Sequence, residues 1–170
     1  MTDYGVSSAM SRFFARHLKW LERQNFAVFS LALAAYSLLG RTVLALISSP
    51  VLLQMSPDQL SAADYAIPWY LPLIVAPLVE TLLFQWAPIS LAARLKQRLS
   101  VQILVSTALF SIMHVSSGVL GVLSAIPSGL VFAYAWIQWG KRGVPWAVAV
   151  TALTHFWVNS FVYVVRVFTE

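Results

Sequence analysis

Glu80 stands in the stretch Pro77-Leu-Val-Glu80-Thr-Leu-Leu-Phe-Gln85, inside an apolar run that carries no other charge from Tyr65 to Ala93. A carboxylate at bilayer depth costs at least roughly 2.5–3.5 kcal/mol, so it faces a bundle interior or a wet cavity and has partners there. The candidate partners are His114, His155 and Asn159. Glu80 lies 14 residues before Arg94, His114 lies 13 after Val101, and His155 lies 11 after Val144. At about 1.5 Å per residue, the three groups reach a common level roughly 16–21 Å from the charged ends of their segments. Asn159 follows His155 by one turn and Thr151 precedes it by one, while Phe110 and Thr107 share the face of His114.

Two chemistries suit this set. A carboxylate held out of water is a stronger proton acceptor, able to take a proton from water and later return it, which makes Glu80 a candidate general base for hydrolysis. Alternatively His114, His155 and Glu80 form an acceptable zinc-ligand set with one position left open. The sequence His-Glu-x-x-His is absent, so an ordinary zincin is excluded. The chain has no cysteine, which removes thiolate nucleophiles, thiolate metal sites and disulfides. A plainer reading, in which Glu80 is only a hydrogen-bonding group between helices, must explain why three ionisable groups agree in depth.

The elements that must position these residues are helices in a membrane. The chain has 170 residues, 59% hydrophobic and only 10% charged, with a mean hydropathy of +0.76, which is too apolar for a soluble domain of this size. Five apolar spans are expected, at Phe26 to Ile47, Ile67 to Ala93, Val101 to Ser117, Val119 to Trp139 and Val144 to Val165, each near or above the roughly 17–25 residues a crossing helix needs. The third is the shortest. Before them, Arg12, Arg16, Lys19 and Arg23 recur at helical spacing beside Phe14, Leu18 and Leu21. This predicts an amphipathic helix on anionic headgroups rather than a solvated basic tail, because Phe13, Phe14 and Trp20 favour lipid. His17 is expected to be incidental there. The fold class is therefore all-α, a polytopic membrane helix bundle with an amino-terminal interfacial helix. Residues 1–25 form the interfacial segment and 26–170 a single transmembrane domain.

The net charge of +5 does not point to nucleic acid, because the basic residues fall in short groups beside apolar runs. Arg94, Lys96 and Arg98 join the second span to the third, and Lys141 and Arg142 join the fourth to the fifth. With the four basic residues before the first span, they predict a cytoplasmic amino terminus and, after five spans, an outside carboxyl terminus. Arg41 lies late in the first span and is expected to snorkel outward. The segment from Ser48 to Ala66 then lies outside, and Ser56-Pro57-Asp58 predicts a short surface helix in it. Pro68, Pro72, Pro77 and Pro88 predict a kinked second span whose freed backbone groups are satisfied by neighbouring helices. Ser117, Gly121, Ala125, Gly129 and Ala133 recur every four residues, a small-residue stripe for close helix packing.

The motifs in order resemble a known family. Glu80-Thr-Leu-Leu-Phe-Gln85 is similar to a Glu-Glu-x-x-x-Arg motif, Phe110-Ser-Ile-Met-His114 to Phe-x-x-x-His, and His155-Phe-Trp-Val-Asn159 to His-x-x-x-Asn. These are the motifs of the CPBP family, the CAAX-processing and bacteriocin-processing intramembrane proteases also called the Abi family. The resemblance spans roughly Pro68 to Val165 and implies a protease core over about 67–165. It implies that Glu80 activates water while His114, His155 and Asn159 orient it and stabilise the oxyanion, with Phe110 supporting. Two departures fall at Thr81 and Gln85, where the family has Glu and Arg. Loss of both charges is self-consistent, since either alone would be stranded in a low-dielectric site. Because Thr81 also removes a spare carboxylate that might act as base beside a metal-bound Glu80, a metal-free glutamic mechanism is favoured over zinc.

The expected function is an intramembrane endopeptidase acting on a membrane-anchored protein or peptide within the lipid bilayer, in a prokaryotic cytoplasmic membrane, with no cofactor favoured and no nucleic-acid partner. Family substrates include lipid-modified carboxyl termini, peptide precursors and bacterial sorting tails. The competing class is a non-catalytic immunity or assembly partner that keeps the fold. A transporter or proton channel is weaker, because a conducting path would place polar groups at several depths.

Overall fold

A computed structural model of the chain describes residues 15–52 and 68–169. The loop expected to carry Ser56-Pro57-Asp58, and the residues Arg12, Phe13 and Phe14, lie outside the described residues. Six helices follow in order: α1 (residues 15–22), α2 (Phe26–Leu52), α3 (Leu71–Arg94), α4 (Leu99–Ile112), α5 (Gly118–Gly140) and α6 (Val144–Thr169). Among the described residues there is no strand, and the protein is a polytopic helical membrane protein. Large apolar side chains such as Leu46, Leu104 and Val119 are exposed around the outside, as lipid-facing surfaces require.

Among the described residues four helices, not five, have the length and apolarity to cross a membrane. The expected third span is the shorter helix α4, whose 14 residues extend about 21 Å against a hydrocarbon core of about 30 Å. It stops because the chain turns back at Gly118, whose φ of 73° is left-handed backbone that glycine adopts without steric cost.

Helix α5 is central and packs against α2, α4 and α6. The small-residue stripe does what its spacing implies on the α4 side: a Cβ on Gly129 would stand 3.1 Å from both Cα and Cγ2 of Thr107, so any larger residue would push α4 away by a few tenths of an ångström. Ala125 and Ala133 on the same stripe are fully buried. Ser117 belongs to the short 3-10 turn Val115–Ser117 that precedes α5.

The prolines of α3 widen it rather than break it. Segments Leu71–Val75 and Thr81–Trp86 are π-helical, and Glu80 ends the α-helical piece between them. In the first segment the Ala76 N–H bonds Leu71 O, so the next bond in that register would run from residue 77 to Pro72 O. Pro77 has no N–H. Asn159 Nδ2 on α6 donates to Pro72 O instead, at 2.8 Å. In the second π segment Ser106 Oγ on α4 donates to Phe84 O at 2.6 Å. The expectation that a neighbouring helix satisfies a proline-freed carbonyl is met at Pro72.

The basic residues before α2 and those of the α5–α6 turn share one end of the bundle. Glu22 bonds Gln138 and Tyr134, and the Phe26 and Trp146 rings lie 6.4 Å apart, so α1 and the start of α2 sit beside the α5–α6 turn. There Arg142 lies 4.0 Å over the Trp139 ring. Helix α1 is only partly the expected lipid-facing element: Leu18 and Trp20 are exposed, but Leu21 is buried in the core with Phe29 and Trp139. His17 is not incidental, since it hydrogen-bonds Tyr36 and stacks on Trp20.

Candidate functional site

Glu80 and His155 meet. Nε2 of His155 lies 3.7 Å from Oε2 of Glu80, slightly beyond hydrogen-bond reach and within range of tightening when a substrate or water enters. Glu80 Oε2 and His155 Nδ1 are buried without hydrogen-bond partners. The imidazole is fixed by rings: Phe132 stacks on it at 4.4 Å, and Phe110 meets it edge-on at 5.7 Å. Phe110 also touches the His114 ring at 4.8 Å. One buried phenyl thus packs against both histidines.

His114 does not sit in mid-helix. It follows the end of α4, and its Nδ1 donates to Phe110 O at 2.9 Å, which leaves Nε2 as an acceptor in the neutral ring. His114, His155 and Asn159 line one cavity of about 30 Å³, which has room for one or two waters. Glu80 is not among the residues lining it and reaches the group through His155. Thr81 and Gln85 are both fully buried. A charge pair at those positions would be fully desolvated, so the joint replacement by neutral side chains is physically coherent.

Sequence reasoning missed Arg41. It lines the same cavity from α2, six residues before the end of the apolar span Phe26–Ile47, so its side chain turns into the bundle instead of snorkelling outward. The inward count used for the other groups finds it: Arg41 is 15 residues past Phe26, about 22 Å deep. Ser124, Ser128 and Phe132 on α5 complete the lining and were likewise not singled out.

Among the described residues no three His, Cys, Asp or Glu side chains converge as a group able to hold a metal ion, so as placed Glu80, His114 and His155 do not fit one.

A family model for type II CAAX prenyl endopeptidases, described as Rce1-like, matches residues 62–161, more than half of the 170-residue chain. Comparisons with curated proteins and with solved structures found no match.

Proposed function

The chain belongs to the Rce1-like family of type II CAAX prenyl endopeptidases, and from that premise we propose that it is an intramembrane endopeptidase whose attacking water is activated by Glu80. The observation that carries the reading is the 3.7 Å approach of Glu80 to His155 among helices long and apolar enough to cross a membrane. In the proposed step, Glu80 takes a proton from water as the water oxygen bonds the peptide carbonyl carbon. The carbonyl electron pair moves to its oxygen, and the carboxyl then returns the proton to the amine as the C–N bond breaks. His155 holds the carboxylate in place, and the free Nε2 of His114 accepts from the water. Asn159 keeps the α3 wall at the distance these contacts need. We propose the metal-free form, because Thr81 leaves no second carboxylate beside Glu80 to act as base if Glu80 held a metal.

The proposed substrate is a membrane-tethered protein or peptide with a lipid-modified carboxyl terminus. An apolar groove of about 490 Å³ between α3 and α4, lined by Leu83, Leu91, Val101, Val105 and Leu109, suits an isoprenoid chain next to the helix that carries Glu80. We place residues 67–165 as the protease core of a single transmembrane domain spanning 26–170. The basic residues at one end support a cytoplasmic amino terminus, and we place the protein in a prokaryotic cytoplasmic membrane.

The test is to compare total membrane peptides from cells carrying wild type, Glu80→Gln and His155→Ala, each at normal abundance. A protease accumulates the same uncut precursor in both variants, whereas an immunity or assembly partner changes no precursor. Zinc analysis of the purified protein and activity after chelation separate the two hydrolytic mechanisms: the glutamic form keeps its activity.

A further inference from the structure

Donor accounting at the cavity leaves the reacting carbonyl oxygen short of partners. His114 spends Nδ1–H on Phe110 O, and one N–H of Asn159 is spent on Pro72 O. Ser124 donates to Gly121 O, and Ser128 is paired with Ser37 at 2.9 Å. His155 turns Nε2 toward Glu80, and with its proton there Nδ1 is an acceptor. That leaves the second N–H of Asn159 and the side chain of Arg41, the one cation that lines the cavity among the described residues. Its guanidinium has five N–H donors and no acceptor, and among the described residues no carboxylate lies within ion-pair distance of it, Glu80 being turned toward His155.

The position of Arg41 is built rather than incidental. One turn before it, Ser37 is fully buried and hydrogen-bonded to Ser128 of α5, which fixes the rotation of α2. At the adjacent Gly40, a Cβ would stand 2.8 Å from Pro127 Cβ, so α2 approaches α5 more closely than any larger residue allows. Both contacts turn Arg41 into the cavity it lines with His114, His155 and Asn159. A cavity of about 30 Å³ takes an oxygen atom, not a carboxylate with the residue that bears it. An uncompensated cation beside a space of that size is complementary to a charge that appears only during reaction.

We propose that Arg41 is the oxyanion-stabilising cation of this site, its N–H groups receiving the substrate carbonyl oxygen as attack of water turns it into an oxyanion. The assignment rests on the protease reading and deepens it. Water supplies the new C–O bond and Glu80 carries the proton, so Arg41 donates hydrogen bonds and transfers nothing.

The experiment measures kcat and KM of the purified full chain on a fluorogenic prenylated CAAX peptide, in free-acid and carboxamide forms, for wild type, Arg41→Gln, Arg41→Lys and Glu80→Gln. Arg41→Gln is expected to lower kcat by roughly 10²–10³-fold with KM within about threefold, equally on both peptides, and Arg41→Lys to recover part of the loss. A merely structural Arg41 would not split kcat from KM or respond to retained charge. If wild type cleaves and Glu80→Gln does not, a near wild-type kcat in Arg41→Gln overturns the assignment alone. A loss confined to the free-acid peptide also overturns it, because Arg41 would then read a terminal carboxylate. A wild type that cleaves neither peptide overturns the protease reading and this assignment with it. Arg41→Met takes the place of Arg41→Gln if the latter is not recovered folded.

Discussion

Asn159 has a structural duty that can be separated from any part in catalysis. Its Nδ2 donates to Pro72 O at 2.8 Å, and that carbonyl is open because Pro77 cannot donate. Asn159→Ala strands the carbonyl inside the bundle, and an unsatisfied buried acceptor costs about 1–3 kcal/mol. Pro77→Ala restores an N–H five residues along, where the π register already observed from Ala76 to Leu71 directs it to Pro72 O. In the double variant the loss is therefore recovered, giving a coupling of about 1–2 kcal/mol in a double-mutant cycle. For a chain of this size, each kcal/mol moves Tm by roughly 2–4 °C. Thermal unfolding of the four proteins in detergent reads the cycle. Peptide cleavage in the same four proteins reads whether Asn159 has a second duty, because a catalytic one is not rescued by Pro77→Ala. Strictly additive Tm losses would refute the argument, since they would mean that Asn159 and residue 77 do not serve the same carbonyl.

Three further outcomes follow from the geometry. Gly40→Ala forces its new methyl against Pro127, which would stand 2.8 Å away; overpacking of about 1–3 kcal/mol lowers Tm, and cleavage falls further than Tm alone explains because Arg41 is the next residue. At the fully buried Thr81 and Gln85, Thr81→Glu or Gln85→Arg alone buries an unpaired charge and destabilises by about 3–5 kcal/mol, while the double variant recovers much of this in the same melting assay. Val105→Trp fills the groove between α3 and α4; if the indole displaces about 60 Å² of isoprenoid contact, the loss is about 1.5 kcal/mol, or about tenfold in KM for prenylated peptides and not for unprenylated ones.

Helix count and depth were legible because apolar length and charge position are one-dimensional quantities. Counting from Arg94 and Val144 placed Glu80 and His155 at a shared level, and their side chains do meet. Rotation about a helix axis is not set by depth, which is why Arg41 read as an outward residue although its own count put it level with the others. Where α4 ends was hidden by apolar composition that runs on through Met113 and Val115, whereas the turn is decided by the backbone at Gly118. The role of Asn159 needed the π register of α3, which no side-chain pattern encodes. Prolines five apart at Pro72 and Pro77 were the only trace of it. His17 looked idle because its partner Tyr36 is 19 residues away on another helix.

The central claim is that Glu80 activates the water that cuts the peptide bond. Its most direct test is the single-turnover rate of Glu80→Gln against wild type on one prenylated peptide, with equal amounts of folded protein. The account predicts cleavage by wild type and a rate lower by at least roughly 10²-fold in the variant, the scale of a lost general base. A Glu80→Gln protein that cleaves at the wild-type rate would contradict it.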